Sequence, residues 1–108
     1  MSALPTLAAL TPIDRLIHEP ARLMILTILA SVSSAEFRYL ENLTGLSKGN
    51  LSSHMSKLEE VGLIAIDKAF RGKIPLTTLR ITAIGMSALE TYRVRMAQVV
   101  AGVPRLHP

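Results

Sequence analysis

Seven small or basic residues share one side of the segment around Ser47 to Val61: Lys48, Gly49, Asn50, Ser52, Ser53, Ser56 and Lys57. Hydroxyls and carboxamides both donate and accept hydrogen bonds, and lysine adds donors with a fixed positive charge. An amide such as Asn50 can pair with both edge groups of adenine, while lysines neutralise phosphates. That chemistry is recognition rather than bond breaking. Acidic residues enter only at the far end, as Glu59 and Glu60, so the leading turns repel no phosphate. On the other side Leu51, Met55, Leu58 and Val61 recur at i, i+4, i+7 and i+10, a stripe that one face of a helix buries. The segment is therefore read as an amphipathic helix over 47–61 with its polar face outward.

The flanking elements must hold that helix out. Ser47 supplies an N-cap, and Gly62 suits the left-handed conformation that closes a helix. Upstream, Ser33 with Glu36 three residues later reads as a capping box. It would open a helix whose face is Phe37, Leu40 and Leu43, followed by a Thr44-Gly45-Leu46 turn. A three- to four-residue turn containing glycine lets two helices cross steeply. Downstream, Leu63–Phe70 and Ile74–Ile81 read as strands joined by a turn at Arg71-Gly72-Lys73. Pro75 cannot donate to a ladder and belongs at an edge or at the base of the tip. A hairpin alone is marginal in water, so this one must lean on the helices.

Helix, glycine turn, helix and basic β-ribbon, in that order, are the sequence form of a winged helix-turn-helix. The stretch 46–64, the basic hairpin, and Ile81-Thr82 opening a further helix resemble winged-helix transcriptional regulators of the MarR and ArsR kind. The segment Ile17-His18-Glu19-Pro20-Ala21-Arg22-Leu23, with Ile25-Leu26, is similar to the opening of the compact members. The resemblance spans roughly residues 12–95. It implies a mainly α fold of about five helices with a small antiparallel β-hairpin wing. It also implies a second helix lying in the major groove of duplex DNA and a wing on the backbone or minor groove. Carried over by position, the base-edge candidates are Lys48, Gly49, Asn50, Ser52 and Ser53. Lys57, Arg71 and Lys73 would be phosphate or minor-groove contacts, and His54, within the second helix, would make a phosphate or neighbouring-helix hydrogen bond. Compact relatives often place an arginine after the wing proline, whereas here Leu76 follows Pro75.

Charge agrees with that placement. Net charge is −1 over residues 1–46, +3 over 47–80 and +2 over 81–108, so the excess sits on the helix, hairpin and terminal helix. A positive stripe is the footprint of polyanion binding. The bland alternative is that these cations only keep the chain soluble.

At 108 residues the chain is expected to be one domain, 1–108, with the helix-turn-helix at 33–62 and the wing at 63–81. Its apolar load, 49%, exceeds what one small core absorbs. Leu23–Ala30 is apolar on nearly every side and too short to cross a bilayer, so a second copy of the chain is its natural cover. Thr11, Pro12 and Asp14 start a short helix carrying Ile13, Leu16 and Ile17, and Pro20 starts the next. Thr82 caps a last helix to about Ala101 whose Leu89, Tyr92, Met96, Val99 and Val103 alternate by three and four, the spacing of a pairing seam. Ile84 and Ala88 lie on an adjoining face suited to the chain's own wing and core. Segments 12–31 and 82–101 are accordingly expected to form a homodimer, with those eight apolar residues at its interface.

Other chemistries lack their residues. His18, His54 and His107 are too dispersed for a metal motif, and without cysteine no thiolate site exists. His18 reads as a local hydrogen-bonding residue. No phosphate loop, nucleophile elbow or carboxylate pair is visible, so neither an enzyme nor a cofactor is expected. The first ten residues have no basic region before their weak apolar stretch and do not read as a secretion signal; they would form a tail or an extra helix on the dimer. Residues 102–108 are expected to fray. Zero cysteine is compatible with a reducing cytoplasm, the expected compartment. The rival reading is a protein-binding winged helix without DNA contact, whose exposed face at 48–57 should carry apolar anchors. A small-molecule effector between subunits stays open, with no residue cluster to identify one.

Overall fold

The computed structural model describes residues 10–105, and within them the helices and strands succeed one another in the expected order. Helix α1 (Pro12–Ile17) opens on a capping box: Thr11 Oγ1 accepts from the Asp14 amide (3.1 Å) while Asp14 Oδ2 accepts from the Thr11 amide (3.0 Å). Helix α2 (Pro20–Ala30) has proline at its first position and Glu19 as N-cap, bonded to the Arg22 amide at 2.8 Å. Helices α3 (Phe37–Thr44) and α4 (Lys48–Glu60) form the helix-turn-helix, joined through Gly45 at φ 71°.

A two-residue strand, β1 (Ala35–Glu36), precedes α3 and corrects the expected capping box. Ala35 pairs with Leu79 and Glu36 with Thr78, so this backbone is extended to fill the open edge of the hairpin. Glu36 is the α3 N-cap but makes no side-chain cap bond. Its carboxylate is bonded to Arg71 instead.

Strands β2 (Ile64–Arg71) and β3 (Ile74–Ile81) pair antiparallel from Ile64↔Ile81 to Arg71↔Ile74, giving the order β1-β3-β2. The turn is tighter than expected: Gly72 and Lys73 alone connect the strands, with Gly72 at φ 64°. Pro75 lies beyond the short reach of β1, so its missing N–H breaks no bond on that side.

The core joins Ile17, Ile25, Leu26, Leu29, Leu40, Leu51, Leu58, Leu63, Ile64 and Leu79, all essentially without exposure. It lies between α2, α4 and the base of the sheet. Helix α5 (Ala83–Ala101) starts at Thr82, whose hydroxyl donates to the Gly62 carbonyl (2.6 Å) and accepts from the Gly85 amide (3.0 Å). Gly85 is required there: a Cβ would lie 2.0 Å from the Leu63 carbonyl oxygen and 2.8 Å from an Ile81 side-chain carbon. Ala88, Leu89, Tyr92 and Met96 then run along the core, with Tyr92 buried. Ile84 points away and is exposed, so it does not dock on the wing or core as expected. Of the described residues, no helix is long and apolar enough to cross a membrane. The expectations for the first nine residues and for 106–108 lie outside the described residues.

Candidate nucleic-acid interface

Helix α4 is held at both ends by its own sequence. Ser47 Oγ accepts from the Asn50 amide at 3.2 Å. At the other end Leu63 N donates to Leu58 O (3.0 Å) and Gly62 N to Glu59 O (2.9 Å), with Gly62 at φ 79°. These two bonds are a Schellman closure, which the glycine permits. Leu51, Met55 and Leu58 are buried, whereas Val61, the last of the expected stripe, is largely exposed beyond the helix end. Because the stripe is inward, Lys48, Gly49, Asn50, Ser52, Ser53, Ser56 and Lys57 are exposed. The side chains of Asn50, Ser52, Ser53 and Ser56 make no hydrogen bond with the described residues, leaving their donors and acceptors open.

The inner face of the wing continues this surface. Ile64, Ile66, Lys68 and Phe70 alternate on β2 and sit opposite Ile81, Leu79, Thr77 and Pro75 on β3. Lys48, Ser52 and Ser56 from α4 and Lys68 and Thr77 from the wing flank one groove of about 690 Å³.

Cations divide sharply by type. All four lysines, Lys48, Lys57, Lys68 and Lys73, lie on α4 or the wing, and none forms an ion pair among the described residues. Four of the eight arginines are in ion pairs among the described residues. Arg71 is bonded to Glu36, Arg80 lies 3.9 Å from Asp67, Arg93 holds Glu90 at 2.6 Å, and Arg95 is bonded to Asp14. Arg71, expected as a phosphate or minor-groove contact, is thus bonded within the protomer.

A family model of the winged-helix DNA-binding domain matches residues 21–100. The chain belongs to that family. It is 31% identical over 86 residues to an uncharacterised protein of Methanocaldococcus jannaschii, covering 79% of this chain and 92% of the relative. Its fold superposes on a transcriptional regulator homologue from Pyrococcus horikoshii OT3 with a TM-score of 0.76 at 30% identity, covering 82% of this chain and 87% of that one. A possible transcriptional regulator for arsenical resistance superposes with a TM-score of 0.67 at 20% identity, over 89% of this chain and the whole of the other. The chain is thus a winged-helix relative of transcriptional regulators, and DNA binding is the family's property.

In this winged-helix domain His54 faces a neighbouring helix. It lies three residues after Leu51 and four before Leu58, on the flank of the buried stripe, and is half-buried. Arg22 Nη1 donates to its Nδ1 at 3.1 Å, and Glu19 Oε2 lies 3.8 Å from the same nitrogen. Arg22 Nε also donates to the Leu16 carbonyl at 2.5 Å. Burial disfavours the Glu19 carboxylate, but the Arg22 and Ala21 amides and the Arg22 guanidinium outweigh it, so its pKa is lowered. His54 thus ties α4 to the start of α2.

His18 is not a local bonder either. Its Nδ1 lies 2.7 Å from the Tyr92 hydroxyl on α5. Asp14, buried beside it, pairs with Arg95 of the same helix. Burial alone would raise the Asp14 pKa, but the Thr11 amide and hydroxyl and the Arg95 guanidinium prevail and lower it. Tyr92 is pushed up by burial and by the Asp14 charge.

The expected dimer residues separate into two sets. Ile17 has no exposed surface and is enclosed by its own chain, so it is unavailable to a partner. Ile13, Leu16, Leu89 and Met96 pack partly on the same core, as does buried Tyr92. Val99 and Val103 remain exposed, joined by Val94 and Val100. Periodicity marks an apolar face without saying whose surface covers it.

Proposed function

We propose that this chain binds double-stranded DNA sequence-specifically as a homodimer and regulates transcription, with α4 in the major groove and the wing on the backbone or minor groove. The observation that carries this reading is the gathering of all four lysines, free of ion pairs among the described residues, on the two elements that flank one groove. Lys48, Gly49, Asn50, Ser52 and Ser53 face the bases; Lys57 and Lys73 neutralise phosphates, with Arg71 joining them only by leaving Glu36. The rival interaction module calls for apolar anchors on α4, and that face carries lysine, serine and asparagine.

The dimer is supported by an apolar groove of about 590 Å³ between α2 and α5, lined by Leu23, Ala30, Leu89, Tyr92, Met96 and Val100. A second copy covers it together with the exposed valines of α5. Two copies related by a two-fold axis place two α4 helices on half-sites about 34 Å apart, which calls for a pseudo-palindromic operator. A regulator of this kind works beside the chromosome, in the cytoplasm. Duplexes selected from random DNA supply the test. Paired half-sites should bind far more tightly than either alone; equal affinity defeats the dimeric reader, and no duplex binding at low salt defeats the function.

A further inference from the structure

The far end of the wing carries large apolar side chains that the fold does not use. Phe70 is 71% exposed and Ile74 69% exposed, and Pro75 beside them is exposed too. Core contact on β2 ends near Ile66, so Phe70 stands four residues further out, roughly 13 Å along the strand. Two such side chains at a hairpin tip lose the benefit of burial in the free protein. Cations bracket them: Arg71 and Lys73 on either side of Gly72, and Lys68 two residues before Phe70. Phe70 and Pro75 face each other across the ladder, on the wing face that carries Lys68 and Thr77 and flanks the α4 groove. A duplex lying along α4 therefore meets this apolar pair on the same side of the molecule.

Resting on the DNA-binding reading, we propose that the wing tip is a minor-groove wedge: Phe70, backed by Pro75, presses between the base pairs of one step while Lys68 and Lys73 hold the flanking phosphates. Proteins that bend DNA from the minor groove insert phenylalanine, isoleucine or proline in this way, partly unstacking a step and kinking the duplex. The occupant follows from charge: an apolar point ringed by cations suits a polyanion with a hydrophobic interior, and its own phosphates supply the complement to Lys68 and Lys73. The wedge assigns a specificity-determining role to a residue that need form no base hydrogen bond. Sequence is read there through the ease of unstacking, which is greatest at TA and CA/TG steps. The operator should therefore carry such a step on each outer flank, under the wing, as well as the bases read by α4.

The experiment uses the full chain and the tightest duplex recovered from a random-sequence library, carrying 2-aminopurine at the flanking step. Wild type and Phe70→Leu should raise the 2-aminopurine fluorescence on binding and slow the gel mobility of circularly permuted, bent fragments. Phe70→Ser should do neither and should bind roughly tenfold more weakly, within the range of an aromatic–base contact. Because Phe70 is exposed, the serine variant should keep its melting temperature, which circular dichroism checks. If Phe70→Ser binds, bends and unstacks like wild type, the wedge is overturned while DNA binding stands. If Phe70→Ser instead changes the oligomeric state by light scattering, the tip is a protein contact and the wedge is overturned. If wild type binds no duplex, both readings fall together.

Discussion

Lys57 and Arg71 read alike in the sequence, yet the structure separates them, and salt dependence measures the difference. Binding to duplex DNA weakens with salt at a log–log slope of about −0.9 for each phosphate neutralised. With four unpaired lysines per protomer and two protomers, eight contacts give a slope of about −7, or roughly a ten-thousandfold loss between 50 and 200 mM salt. Lys57→Ala removes one contact per protomer and should flatten the slope to about −5, independent of DNA sequence. Arg71→Ala should change it much less, because the guanidinium is already bonded to Glu36 and its loss leaves that carboxylate unpaired near the phosphates. An exposed pair of this type is worth about 0–1 kcal/mol, so the pair competes with DNA without forbidding contact. Glu36→Gln releases Arg71 and should both tighten binding and steepen the slope. Fluorescence anisotropy of a labelled duplex across a salt series reads all three. Equal flattening by Arg71→Ala and Lys57→Ala would show that Glu36 does not hold Arg71 in solution, and the division of cations drawn above would be wrong.

Gly85→Ala should destabilise by about 2 kcal/mol in urea denaturation despite alanine's better helix propensity, since the added carbon meets the Leu63 carbonyl; a neutral or stabilising outcome refutes that close approach. His54→Leu strips Arg22 Nη1 of its ring acceptor and should cost about 1 kcal/mol, whereas His54→Asn offers an oxygen near the same place and should recover most of it. Neither variant should alter the salt slope; a flattened slope would return His54 to the DNA face. Asp14 titrates with a lowered folded pKa, so it adds stability that is complete above the ordinary aspartate value and lost as pH falls through the lowered one. Asp14→Asn should therefore be less stable than wild type at neutral pH, with the gap closing in acid. A gap that is constant in pH would contradict the lowered Asp14 pKa that the Thr11 bonds and Arg95 together produce.

Local chemistry carried much of the architecture into view. The caps at Thr11, Ser47 and Thr82, the prolines at the starts of α1 and α2, and the glycines at 45, 62 and 72 each act within a few residues, and each sits where the sequence implied. What stayed hidden depends on chain segments meeting from afar. Strand β1 has two residues and therefore no periodicity of its own; it forms because β3 offers an open edge more than 40 residues later. The same strand turned the apparent Ser33–Glu36 cap into a Glu36–Arg71 bond across 35 positions. Nothing within a few residues of Gly85 marks it as required, because the obstacle is the Leu63 carbonyl, 22 positions earlier. The pattern that placed Ile17 with the dimer residues was a true apolar signal, but the face it marked is closed by the protomer itself.

The division between arginine and lysine has a physical basis that bears on how such a small domain can both fold and bind. Guanidinium offers a planar fork of donors that grips a carboxylate in fixed geometry, so arginine suits contacts that fasten one element to another. Arg95 ties α5 to α1 through Asp14, and Arg22 ties α4 to α2 through His54. Had those positions been the DNA contacts, binding would have had to break bonds that fasten one helix to another. Lysine is a hydrated point charge on a flexible stem, and phosphates along a duplex accept it in many geometries. Keeping lysines unpaired on α4 and the wing lets the domain meet a polyanion without disturbing the contacts that position the helix. Exchanging roles, for instance Lys57→Ala with a neutral residue replaced by arginine elsewhere, would preserve net charge yet remove the coupling between a rigid frame and an adaptable surface.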